Sequence, residues 1–359
     1  MSNSITMCSR ALAYVLAMTV MPHSGGASAG GIPTATVKDW CAVDPASAAA
    51  RSILEAASHH RDDRPHPLVH VHTEGTLPHQ GIRDQSLEAE ADWLIAQRAA
   101  MAWHISSDSR YLQQVDAYLM AWASTYEPDF NPIDETNLDG LIQAYTLTRD
   151  ALPPPARVAM QTFLRKLGEG YLERMRELRH SSRGSAINNW QSHRIKLVAL
   201  AGSALGDSAM LHAATLLFQQ QVADNIRPDG SVYDFSERDA LHYVVYDLQP
   251  LVQAALAAKA YDSGINWLHY ETAKGASLAK ALDWLRPYAE GSQSHEEFVR
   301  SRVKFDAARL HAGVHGFSGP WEPKTSSALF WLAARLDKNY LPVAQKLSAQ
   351  PPDWIGVCR

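Results

Sequence analysis

Apolar residues recur at three- and four-residue spacing along most of the chain, the period of helices that bury one face and leave the other in water. That spacing predicts helices over residues 44–59, 87–105, 109–125, 137–151, 157–178, 187–205, 208–226, 240–262, 265–285 and 326–336. The breaks between them carry turn chemistry: the Pro128 to Pro132 stretch, Pro153-Pro154-Pro155, Gly206-Asp207, and Arg227-Pro228-Asp229-Gly230. Short breaks make successive helices antiparallel neighbours. Strict alternation is confined to two short strand candidates, 69–72 and 231–233. No linker or low-complexity stretch divides the pattern. The expected fold is all-α, an incomplete (α/α) toroid of stacked helical hairpins, about ten helices each burying one face around a central cleft.

Two stretches interrupt the period. Residues 70–85, HVHTEGTLPHQGIRDQ, are long and polar for a connection in a helical domain. They are expected to form a lid loop over a ligand cleft, a plain solvated connection being the alternative. Residues 183–189, RGSAINN, separate one long helix from the next.

Composition narrows the class. The chain has 359 residues, 46% of them hydrophobic and 20% charged, which excludes a disordered polymer. A formal net charge of −5 leaves no basic excess for a phosphate backbone, so nucleic acid is not an expected partner. Arg10 precedes an apolar run over 11–21, then Pro22 and the small residues Ala27-Ser28-Ala29. That order predicts a secretory signal peptide over 1–29, a single domain over 30–359, and a periplasmic or secreted location. A run this short does not span a bilayer, which needs about twenty residues, so no membrane span is expected in the mature chain. Cys8 leaves with the signal, and Cys41 and Cys358 remain as candidates for a disulfide or as two free thiols. Metal binding by so few thiols is not expected, and no cofactor is expected.

The chemistry gathers in two places. In 188–194, NNWQSHR, Asn189 and His193 are one helical turn apart and share a face; a helix cap beside a solvated histidine is the plainer reading. In 237–250, ERDALHYVVYDLQP, Arg238, His242 and Tyr246 form an i, i+4, i+8 stripe if the helix has begun by Arg238. Pro250 cannot donate to the Tyr246 carbonyl and is expected to kink that helix. A guanidinium beside aromatic and imidazole rings suits an anionic, ring-shaped ligand. His193, Arg194, Lys196, Arg238 and His242 together supply local positive charge that the overall acidity does not cancel.

With these residues the sequence resembles the alginate lyases and related uronate-polymer lyases of (α/α) toroid fold, which include polysaccharide lyase families 5 and 38. The resemblance rests on NNWQSHR (188–194), ERDALHYVVYDLQPL (237–251), HTEGTLPHQGIRDQS (72–86) and EEFVRSRVKFDAAR (296–309), and runs from about residue 70 to 336. It implies β-elimination on a 1,4-linked uronate polymer such as alginate or glucuronan, leaving an unsaturated sugar. Abstracting the C5 proton requires the adjacent carboxylate to be neutralised by preorganised donors.

By resemblance, Asn189 is the neutralising amide, and His193 a second donor or the base for the opposite C5 stereochemistry. Tyr246 is the tyrosine that carries the proton, and Arg238 binds the carboxylate or steadies the phenolate. Trp190, His242, Tyr243, Arg83, Glu74 and Arg194 are the expected substrate contacts. The sequence departs from family 5 in two respects: Trp190 rather than histidine follows Asn189, and eight residues separate Arg238 from Tyr246. Both departures lean toward family 38. Two other classes stay open. A glycoside hydrolase would draw two carboxylates from Glu74, Asp234, Glu237 and Asp239, and a non-catalytic polysaccharide-binding protein would need no tyrosine.

Overall fold

The computed structural model describes residues 45–179, 181 and 184–356, all within one compact unit. The leader over 1–29 and the Cys41/Cys358 pair lie outside the described residues. In chain order the helices are α1 (Ala48–His59), α2 (Arg83–Ser106), α3 (Ser109–Thr125), α4 (Leu138–Thr148), α5 (Pro154–Leu178), α6 (Asn189–Leu205) and α7 (Ser208–Asn225). They continue with α8 (Tyr233–Arg238), α9 (Leu241–Tyr261), α10 (Leu278–Ala289), α11 (Lys304–His311), α12 (Ser327–Leu336), α13 (Leu341–Leu347) and α14 (Asp353–Gly356). None of the described residues forms a strand, and none of their helices is long and apolar enough to cross a membrane.

The helices form an incomplete (α/α) toroid. The inner layer runs α2, α4, α6, α9, α12, each packed on the next; α1, α3, α5, α7, α10 and α13 back it from outside. Short α14 touches both α1 and α12 and so bridges the two ends of the ring. Most of α6 is buried, polar residues included, because it has neighbours on every side. Close approach in the inner layer needs a small residue: a Cβ on Gly140 of α4 would lie 2.9 Å from the Trp93 carbonyl oxygen of α2.

The structure corrects several expectations. Residues 265–277 are not helical. Asp262 Oδ1 takes the Gly264 N–H at 2.8 Å, and Ser277 caps α10, so the helix starts thirteen residues later than the spacing suggests. The apolar residues there are still buried: Trp267 stacks on Phe218 at 4.5 Å. α2 begins at Arg83, extending back into the polar stretch. Of the two strand candidates, 69–72 is coil, and 231–233 holds only an isolated bridge from Val232 to Ile226 before Tyr233 opens α8. α8, α11 and α13 carry too few turns to show a period.

Candidate active site

The first turns of α6 are fixed by buried acids. Asn188 caps the helix by accepting the Trp190 N–H at 3.0 Å. Asn189, 1% exposed, gives its backbone N–H and its side-chain amide to Asp234 of α8, at 2.8 and 2.6 Å. One turn on, Ser192 donates to Asp247 of α9 at 2.6 Å, and Asn225 of α7 donates to both oxygens of the same carboxylate. Burial holds the Asp234 and Asp247 carboxyls above their ordinary range. These contacts tie three helices to α6 and set the rotation that delivers His193 to the inside of the ring.

His193 and Tyr246 meet there, ring centroids 4.4 Å apart, in a cavity of about 250 Å³ that Thr136, Asn137, Lys196 and His242 also line. Thr136 is the junction. Its hydroxyl lies 2.7 Å from His193 Nδ1 and takes a donor from Lys196 Nζ at 3.2 Å, and it favours the phenolate of Tyr246. Lys196 is 2% exposed and also donates to the Thr136 carbonyl at 2.6 Å and to Asp139 at 3.1 Å. Burial and the Lys196 charge push the His193 pKa well below its ordinary value, so the ring is neutral. The Tyr246 carbonyl, which Pro250 leaves without its helical N–H, works the other way. His193 Nε2 closes no full hydrogen bond. Burial pushes Tyr246 well above a free phenol, against the charge of Arg309 and the Thr136 hydroxyl. A second chamber of about 390 Å³ adjoins the first and shares Asn137, Asp139, Gln249 and Gln253 with it.

Arg238 is not on the Tyr246 stripe. Asp239 adopts a left-handed conformation (φ 49°) that ends α8 and lets α9 begin afresh at Leu241, leaving only His242 and Tyr246 on a common face. Asp239 is held there by Arg300, at 3.1 Å to each carboxylate oxygen. Arg238 pairs with Asp306 and lies 3.7 Å over the Tyr243 ring, whose hydroxyl accepts from Arg309 at 2.7 Å. Tyr243 in turn meets Tyr246 edge-on at 6.0 Å. Arg238 is thus one ring removed from the cavity. His242 opens to solvent while its ring packs among Tyr243, Phe298 and Phe317; that packing, with Arg309 and Arg238, lowers its pKa.

The 70–85 stretch is pinned at its root rather than loose. Buried Asp134 accepts from His72 Nδ1 (2.9 Å), the Thr73 N–H (2.7 Å) and hydroxyl (3.1 Å), and the Glu74 N–H (2.7 Å). Arg83 closes the loop onto the Thr73 carbonyl at 2.8 Å. Burial and Asp134 raise the Glu74 pKa, with the Arg309 charge opposing them. Arg194 is buried beside the Ser185 carbonyl (2.7 Å), 5.7 Å from the Trp190 ring centroid, and neither residue lines the cavity.

Of the sequence candidates the structure therefore brings His193, Tyr246 and His242 into one cavity, with Tyr243 and Arg238 behind them. Asn189, Trp190 and Arg194 lie on α6 outside the cavity lining, Glu74 belongs to the 70–85 stretch, and Arg83 opens α2 and closes that stretch. Sequence reasoning missed Thr136, Asn137 and Arg309. The polar run Asp134-Glu135-Thr136-Asn137 directly before a helix was the available signal for the first two. Among the described residues no three His, Cys, Asp or Glu side chains come close enough to hold a metal ion.

The sequence matches the alginate lyase family over residues 39–295. The chain belongs to the alginate lyase family. It is a polysaccharide lyase. Solved structures of the same fold include an alginate lyase from Bacteroides ovatus, 15% identical with a TM-score of 0.59 over 84% of this chain and 90% of that one. Alginate lyase A1-III from Sphingomonas species A1 is 14% identical, with a TM-score of 0.51 over 73% of this chain and 82% of that one. A variant of A1-III complexed with a tetrasaccharide is 16% identical, with a TM-score of 0.54 over 73% and 78%. No curated protein matches the sequence. At these identities the likeness establishes the toroid, and the alginate lyase family membership rests on the sequence match.

Proposed function

We propose that this alginate lyase family member cleaves a 1,4-linked uronate polymer, alginate first, by β-elimination in the His193/Tyr246 cavity. The observation that carries the reading is the pairing of a neutral imidazole with a protonated phenol at 4.4 Å, their pKa values driven apart by the same burial. Groups separated in this way divide the base and acid roles between them. His193 Nδ1 lies against the Thr136 hydroxyl and Nε2 closes no full hydrogen bond; in this reading Nε2 takes the C5 proton. Tyr246 gives its phenolic proton to the glycosidic oxygen as the C4–O bond breaks, and the electron pair from C5 closes the C4=C5 double bond. The Asn137 amide at the cavity wall supplies a donor to the substrate carboxylate, and the buried Lys196 charge, its protons held by Thr136 and Asp139, offsets that carboxylate through space.

A hydrolase reading finds less support, since Asp234 is committed to Asn189 and Asp239 to Arg300. The test is to offer purified protein a panel of uronate polymers and follow the ultraviolet absorbance of the unsaturated product. Chain cleavage without that absorbance overturns the reading. We further propose export of the mature chain, on the leader pattern over 1–29.

A further inference from the structure

Glu90 is a buried acid that the proton transfer does not use. It sits on α2, 7% exposed, and lines the second chamber. One oxygen, Oε2, accepts from Asn137 Nδ2 at 3.1 Å, and Oε1 has no partner. Asn137 stands in the wall common to both chambers, so its amide meets the reacting sugar on one side and Glu90 on the other. Half a turn about the last side-chain bond exchanges the amide oxygen and nitrogen without moving any other atom.

We infer that Glu90 is a positioning residue whose protonation decides which end of the Asn137 amide faces the substrate carboxylate. The inference rests on the lyase reading above. An ionised Glu90 only accepts, so it holds Nδ2 and turns the Asn137 oxygen toward the cleft, where it repels a uronate. A neutral Glu90 offers an O–H to that oxygen and releases Nδ2 to donate to the uronate. Burial raises the Glu90 pKa to about 7, which puts the exchange at neutral pH. The groups that face it are Asp134, which raises it, Arg83 of its own helix, which lowers it, Tyr246 across the cleft, and Asp139 in the shared wall. The first cost of ionisation is therefore loss of carboxylate recognition, felt in KM and kcat together.

The test is the pH profile of kcat/KM for wild type and Glu90→Gln on a uronate polymer. Wild type loses activity as Glu90 ionises, about tenfold for each pH unit beyond that point. In Glu90→Gln the introduced amide nitrogen is a permanent donor to Asn137, so that variant's profile lacks this alkaline limb. A limb unchanged in Glu90→Gln overturns the inference and leaves the lyase reading standing. If wild type yields no unsaturated product from any uronate polymer, both fall. Should Glu90→Gln fail to fold, Asn137→Ala decides: its residual activity must lack the limb, and a limb that persists refutes the inference. A merely structural Glu90 would change melting temperature and leave the shape of the profile alone.

Discussion

Replacing Asn189 with alanine separates two roles that the sequence leaves superposed. The substitution deletes the 2.6 Å amide contact to Asp234 but leaves the 2.8 Å backbone contact and the Asn188 cap intact. A hydrogen bond to a buried charged group is worth about 1.5–3 kcal/mol, and Asp234 has no water with which to replace it. At about 2–4 °C per kcal/mol for a chain of this size, melting temperature should fall on the order of 5 °C. Turnover should stay within about tenfold, because losing a donor aimed at the developing charge costs about 10²–10³. Asn137→Ala should differ in turnover, losing about 10²–10³ in kcat, while the loss of its 3.1 Å contact to buried Glu90 also lowers the melting temperature. Thermal melts by circular dichroism and initial rates of unsaturated product measure both. An Asn189→Ala protein that melts like wild type yet loses more than about a hundredfold in turnover would refute the reasoning, because its amide would then have to reach substrate.

Other substitutions probe the rest of the molecule. Tyr246→Phe should fold normally and lose about 10²–10⁴ in kcat; near wild-type elimination would remove Tyr246 from proton transfer. Gly140→Ala places a methyl 2.9 Å from the Trp93 carbonyl, an overpacking cost of about 1–3 kcal/mol that the gain in helix propensity only partly offsets, so thermal melting should come earlier. Glu135 accepts from Tyr126 at 2.8 Å and from Tyr171, and burial raises its pKa from 4.5 to about 7. The native state then binds the extra proton, so this contribution is complete below pH 4.5 and lost as pH rises toward 7. Glu135→Gln should flatten the dependence of melting temperature on pH across that window, and an unchanged slope would assign it to other groups.

Most of the toroid was legible because helix burial writes a 3.6-residue period into each long element, and α3 and α12 begin and end within a residue of that period. The 265–277 stretch misled because Trp267 and Leu268 are buried by loop packing against α7, and apolar spacing does not record backbone conformation. His193 and Tyr246, which share one cavity, stand out in the sequence because their motifs combine scarce residue types on helices. Arg238 could not be placed, because a single left-handed residue, Asp239, resets the helical phase between it and Tyr246. Asn188 and Asn189 look alike in sequence, and only the partner forty-five residues away assigns one to capping and the other to Asp234. Thr136 and Asn137 sit where an irregular segment enters α4, so no period points to them.

The bridge made by α14 has a kinetic meaning. It supplies Trp354 to the wall of the second chamber and joins the last inner helix to the first helix of the ring, yet its residues leave the ribosome after both of the helices they join. Helices synthesised early can pair as they emerge, since each hairpin is local in sequence. Ring closure cannot begin until residues 353–356 have emerged, and until then α1 keeps an apolar flank uncovered. A chain stopped short of Asp353 is therefore an open arc, a form suited to capture by chaperones and proteases.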